Sequence, residues 1–157
     1  IGHSERRHIF NETDADVNRK VRAALDAGLE PMVCVGELLE EREGGQTAQV
    51  LERQIREGLR GFPAADFAKI TIAYEPVWAI GTGKVATPEM ADDAHKIIRE
   101  ILKSSAGEAA AEAMPILYGG SVKPDNIEGL YKMENIDGVL VGGASLESPS
   151  FLKIINV

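Results

Sequence analysis

The sequence predicts an α/β fold built on parallel strands, and three observations carry that prediction. Four short apolar runs, PMVCVGE (31–37), AKITIAYE (68–75), MPILYGG (114–120) and IDGVLVGG (136–143), read as strands buried on both faces. Amphipathic helical patterns alternate with them, which implies parallel pairing through right-handed crossovers. Glu37, Glu75, Gly119 with Gly120, and Gly142 with Gly143 all stand at the carboxyl ends of these runs, where parallel α/β proteins build their sites. The alternation by itself fits a barrel or an open doubly wound sheet.

Each element has its own warrant. Asp14 is placed to cap a helix whose face carries Val17, Val21, Ala24 and Leu25, with Gly28 as its C-terminal stop. The strand at 31–37 follows. A second helix is expected from about Thr47, with Val50, Leu51, Ile55 and Leu59 at helical spacing, closing near Gly61, Phe62 and Pro63. Beyond the strand at 68–75, Thr87, Pro88 and Glu89 supply an N-cap, a proline preset for the first turn and an acid at the positive end of the dipole. Met90, Ala94, Ile97, Ile98 and Ile101 form that helix's apolar face. The strand at 114–120 leads to a short helix after Pro124 with Ile127, Leu130 and Tyr131. After the strand at 136–143, Phe151, Ile154 and Ile155 mark a last helix.

With 157 residues, 44% of them hydrophobic, the chain can bury one core, and no proline-rich linker or low-complexity segment divides it. A net charge of −8 argues against a nucleic-acid footprint, so an anionic ligand would need local donors. There is no apolar run of membrane-spanning length, and the amino end, IGHSERRHIF, is too charged for a signal peptide; a cytoplasmic protein with no membrane partner is expected. Cys34, the only cysteine, lies in an apolar run and reads as a small buried thiol rather than a nucleophile. No pair of histidines has metal-ligand spacing with a third ligand, so no metal is expected.

The stretch AYEPVWAIGTGK (73–84) holds an acid, an apolar clamp and a glycine loop together. As a P-loop it fails twice: Trp78 stands where the first glycine is needed, and Val85 follows the lysine where Ser or Thr is needed. The dinucleotide pattern is formally met by Gly81, Gly83 and Ala86, but the helix begins only after it, at Thr87 and Pro88, and Glu100 lies inside a helix instead of ending the next strand. A hinged lid accounts for it better. Pro76 stiffens the strand exit, Val77 and Trp78 give apolar cover, and Gly81 and Gly83 let backbone N–H groups approach an anion.

Together, GHSERRHIF (2–10), CVGELLEERE (34–43), AYEPVWAIGTGK (73–84), ATPE (86–89), YGGSVKPDN (118–126) and VGGASL (141–146) resemble the triosephosphate isomerase family, in the family's order and along the whole chain. The resemblance implies a (β/α)8 barrel of which this chain holds the last four strands and their helices, 1–157 being the carboxyl-terminal part of one barrel domain. It implies interconversion of dihydroxyacetone phosphate and glyceraldehyde 3-phosphate with no cofactor. The family is itself the standard illustration of a tuned carboxylate base, a neutral histidine and a closing loop.

Carried over residue by residue, the resemblance makes Glu75 the base that moves a proton between neighbouring carbons. His3 becomes the electrophile that donates a hydrogen bond to the carbonyl oxygen, with Ser4, Glu5, Arg6 and Arg7 beginning a short helix behind it. Backbone N–H groups at Gly81, Ser121, Gly142 and Gly143 would hold the phosphate. Pro76, Trp78, Lys84 and Tyr118 would belong to the lid and its seat, while Ser4, Glu5 and Glu37 support the reacting groups. His8 and His95 are expected to be surface or packing residues.

Family members place three βα units and a fourth strand before the GHSE motif, with an asparagine and a lysine that contact substrate, and a third loop that makes much of the homodimer contact. Four strands cannot close an eight-stranded barrel, so open sheet edges and self-association through them are expected of this chain. So is at most trace activity from the 157-residue chain alone, or a half-barrel that only binds phosphate weakly.

Overall fold

A computed structural model of the chain describes residues 1–80, 82 and 84–157. The helices are α1 (Ser4–His8), α2 (Asp14–Asp26), α3 (Leu39–Glu43), α4 (Thr47–Gly58), α5 (Ala64–Phe67), α6 (Pro88–Ala106), α7 (Glu108–Ala113), α8 (Ile127–Tyr131) and α9 (Ser148–Ile155). The strands are β1 (Met32–Val35), β2 (Thr71–Tyr74), β3 (Ile116–Tyr118) and β4 (Gly138–Val139). They form a parallel sheet in sequence order among the described residues, with Met32 opposite Thr71, Ile72 opposite Ile116 and Leu117 opposite Gly138. On the outer side of β1 the backbone of Ile1 continues the ladder: its amine donates to the Met32 carbonyl at 2.7 Å, and the Cys34 N–H donates to its carbonyl at 2.9 Å.

Alternation along the strands divides the sheet into two faces. Val33, Val35, Ile72, Tyr74, Ile116 and Tyr118 join the apolar core with Val17, Leu51, Ile55, Ile98 and Leu102 from the helices. Full burial of each such side chain contributes about 1.5–3 kcal/mol. α2 packs on α4 and α4 on α6, so the helical layer follows the strand order.

The chemistry of the helix ends corrects one expectation. Thr13, not Asp14, caps α2: its hydroxyl accepts from the Asp16 N–H, and the Asp16 carboxylate accepts from the Thr13 N–H. A hydroxyl three residues before an acid closes this reciprocal box and leaves Asp14 as the first helical residue, paired with Arg7. Gly28 does stop α2. With φ +76 it donates to the Leu25 carbonyl while Leu29 donates to Ala24, both at 2.9 Å, a paired closure that needs a left-handed residue. Thr87 caps α6 through the Met90 N–H, with Pro88 in the first turn.

The strands are shorter than the apolar runs, β2 beginning only at Thr71 and β4 ending at Val139, although single ladder hydrogen bonds continue at Glu75, Gly119 and Leu140. α3, α5 and α7, of four to six residues, were beyond periodicity, since one turn carries no repeat. No described helix is long and apolar enough to cross a membrane. Tyr131, Leu146, Leu152 and Ile155 leave apolar surface exposed beside β4 and α9.

Candidate active site

β2 ends at Tyr74 and delivers Glu75 to the carboxyl pole of the sheet, where the Glu75 N–H still donates to the Val35 carbonyl at 2.7 Å. Gly36 lies against this turn so closely that a Cβ there would stand 1.8 Å from the Glu75 carbonyl oxygen. Gln54 from α4 fixes Gly36 from behind, its amide accepting from the Gly36 N–H at 2.8 Å and donating to the Gly36 carbonyl at 3.1 Å. Gly36 is thus held between the acid's backbone and α4.

The Glu75 side chain is 3% exposed, and both of its oxygens are engaged. The Ser4 N–H donates to Oε2 at 2.9 Å, and His3 Nε2 lies 3.2 Å from Oε1. His3 caps α1: its Nδ1 accepts from the Glu5 N–H at 3.3 Å, which leaves the ring proton on Nε2, facing the carboxylate. Burial raises the Glu75 carboxyl above its ordinary value; the Ser4 N–H and then His3 oppose that rise without cancelling it. Cys34, on the strand beside it, has its thiol pushed up to about 12 by burial and by the Glu75 charge.

Glu37 organises the exit from β2. It is fully buried, and its Oε1 accepts from the Tyr74 hydroxyl at 2.9 Å, the Trp78 indole N–H at 3.0 Å and Arg42 at 3.2 Å. Arg42 also lies over the Trp78 ring, 5.2 Å from its centroid. Pro76, at φ −62, begins the 3₁₀ turn Val77–Ala79 that carries Trp78, and the Thr82 hydroxyl donates back to the Trp78 carbonyl. Lys84 is exposed, its N–H on the Thr82 hydroxyl, away from the cavity. Gly81, and Gly83 of the anticipated lid, lie outside the described residues.

A cavity of about 600 Å³ opens beside His3 and Glu75. Gly119, Gly120 and Ser121 after β3, and Gly142 and Gly143 after β4, also line it, Gly119 lying directly against the Glu75 side chain. The structure therefore brings His3, Glu75, Ser121, Gly142 and Gly143 to one opening. Gly120 is required there for another reason: a Cβ would stand 2.2 Å from the Tyr118 hydroxyl. That hydroxyl is buried without a hydrogen-bond partner among the described residues, and burial raises it to about 12. Ser4 contributes its backbone N–H to the acid and Glu5 its N–H to the histidine, so both act through the main chain. His8 is exposed. His95 is fully buried against Tyr74, and burial lowers it to about 4.

Ile80, Val122, Lys123 and Leu140 also line the cavity, a set the sequence reading passed over. Lys123 is the one with a signal, a cation two residues after Ser121 in the same loop. Among the described residues no three His, Cys, Asp or Glu side chains are grouped as metal ligands would be.

The family model described as triosephosphate isomerase matches residues 1–157. The chain belongs to the triosephosphate isomerase family. The triosephosphate isomerase of Solibacter usitatus is 59% identical over 156 residues, covering 99% of this chain and 63% of that protein. Those of Treponema denticola and Citrifermentans bemidjiense are 59% and 56% identical, covering 98% and 99% of this chain and 62% of each relative. The chain thus spans somewhat under two thirds of the curated relatives it matches. Its parallel βα units fit the family's barrel as a part of one.

Proposed function

We propose that this chain supplies the base, the electrophile and most of the phosphate cradle of a triosephosphate isomerase, interconverting dihydroxyacetone phosphate and D-glyceraldehyde 3-phosphate in glycolysis and gluconeogenesis. The observation that carries the reading is the 3.2 Å approach of His3 Nε2 to the buried Glu75 carboxylate at the lip of a cavity walled by Ser121, Gly142 and Gly143. Glu75 takes the proton from the carbon beside the carbonyl. A buried carboxylate of raised basicity suits that step. The Nε2–H of His3 donates to the carbonyl oxygen as charge develops on it, and the enediolate is reprotonated by Glu75 on the neighbouring carbon.

The phosphate is held by backbone N–H groups at Ser121, Gly142 and Gly143, with Gly81 joining from the lid. Pro76 and Trp78 form the lid's hinge, anchored on Glu37, and the Tyr118 hydroxyl, without a partner among the described residues, offers it a seat when it closes. Lys84 stands at the lid's far end. Closure keeps water from the enediolate, whose phosphate would otherwise be eliminated. No cofactor enters this chemistry. The whole protein is read as a cytoplasmic homodimer, with residues 1–157 as the carboxyl-terminal part of one barrel.

A second reading concerns the 157-residue polypeptide by itself. The described strands number four, and among the described residues β4 has no strand paired to its outer edge, which favours weak phosphate binding and self-association with turnover about a thousandth of the complete barrel's or less. The test is a coupled isomerase assay on the full-length protein and on the 157-mer, each verified by intact mass. Turnover by the first and none above trace by the second is expected. A full-length protein without turnover overturns the isomerase reading, and an active 157-mer overturns the second.

A further inference from the structure

His3 reaches Glu75 from a loop, so something must hold that loop's backbone. Arg7 does so from both sides. Its backbone N–H donates to the His3 carbonyl at 3.0 Å, and its side-chain Nε donates to the Gly2 carbonyl at 2.8 Å. The two peptide carbonyls that flank the histidine's Cα are therefore bound by one residue. The same guanidinium donates through a terminal nitrogen to the Cys34 carbonyl at 3.2 Å, on the strand adjoining Glu75. Its other terminal nitrogen meets Asp14 at 2.6 Å. The side chain is only 8% exposed, and a fork of fixed shape is what such a multiple contact needs.

Gly2 gives a second, independent observation. It sits at φ +76, and a Cβ there would lie 3.1 Å from each of Arg7, the Cys34 carbonyl oxygen and a Val17 methyl. Three separate elements converge on the residue just before His3, on a spot where a side chain would press on all of them. The knot lies outside the cavity: neither Gly2 nor Arg7 lines it.

We infer that Arg7 is a positioning residue, setting the separation of the His3 ring from Glu75 by locking the Gly2–His3 backbone to β1. The inference rests on the proposed role of His3, and it locates a determinant of turnover in a residue that never meets substrate. Small misplacements of a reacting group are costly, on the order of 10²-fold for about 1 Å. Because the phosphate wall belongs to the loops after β3 and β4, loss of the lock acts on kcat and spares anion binding.

The experiment uses the full-length protein. In Arg7→Ala, kcat is expected to fall about 10²-fold with KM within about twofold, affinity for inorganic phosphate unchanged, and partial recovery of kcat on adding guanidinium. Asp14→Asn is the control: it cuts the outer salt bridge, leaves the bonds to Gly2 and Cys34, and should lower the melting temperature with kcat held. A folded Arg7→Ala protein with unchanged kcat overturns the inference, as does a kcat loss that Asp14→Asn reproduces at equal melting temperature. If Arg7→Ala does not fold, Arg7→Lys and Gly2→Ala are judged by the same criteria. The His3 ring ¹⁵N signals separate this from the isomerase reading, since they need no turnover. In a wild-type protein lacking isomerase activity, a changed Nδ1 signal in Arg7→Ala supports the lock and an unchanged one removes it.

Discussion

Glu75 and Gly143 stand on one cavity, yet Glu75 is 3% exposed with both carboxylate oxygens engaged, while Gly143 is exposed and, its chain neighbours aside, no atom of the described residues lies within 4 Å of where a side chain would start. The same division separates Gly36, jammed against the Glu75 backbone, from Gly142, which also faces open space. A base gains its strength from lost water and so needs walls. An anion cradle needs backbone N–H groups that a ligand can reach, and walls would only obstruct it. One pole of the sheet thus carries a packed region and, among the described residues, an open one, each suited to the chemistry proposed for it.

Glu75→Gln should give the largest effect. In the full-length protein kcat should fall about 10²–10⁴-fold, measured with either triose phosphate. The same change should stabilise the fold. Burial raises the Glu75 carboxyl in the folded state, so from its ordinary 4.5 upward the folded chain holds a proton that the unfolded chain has lost. Wild-type stability therefore falls as pH rises through that window and stays lower above it, whereas glutamine has nothing to titrate. Urea melts between about pH 4 and about pH 8 should show the variant's advantage growing with pH. A constant difference would mean that the packed region imposes no electrostatic cost.

Next in size is Gly36→Ala. The methyl would press on the Glu75 carbonyl, backbone against backbone, and a loss of about 3 kcal/mol is expected in urea unfolding. Gly143→Ala, the identical substitution in the open region, should change stability by no more than about 0.5 kcal/mol and raise KM roughly a few-fold with kcat nearly held. Equal destabilisation at the two glycines would break the contrast; a stable Gly143→Ala protein with raised KM would sharpen it.

Much of the fold was legible because parallel strands buried on both faces and amphipathic helices leave unmistakable runs, and because Gly28 and Thr87 stand where helix ends require them. Asp14 misled because an acid and a hydroxyl compete for the same cap, and only the geometry with Asp16 decides for Thr13. The site was legible by its segments, through their family resemblance, but not by its contacts. Gly2 and Arg7 meet Cys34 at the outer side of β1, and Gly36 meets Glu75 where β1 pairs with β2, through pairings that local sequence does not encode. The sequence therefore placed Gly36 only within the strand at 31–37, and Arg7 only within a short helix behind His3.

Cys34 lies 5% exposed beside the acid, the single thiol of the chain, lifted to about 12. Alkylating reagents attack thiolate, so at neutral pH the native molecule offers them almost none. When the wall behind Glu75 opens, that sulfur gains both water and an ordinary acidity. The rate of alkylation at Cys34 then reports the fraction of time the acid's shelter stands open, or the opening rate itself when the reagent reacts faster than the wall recloses.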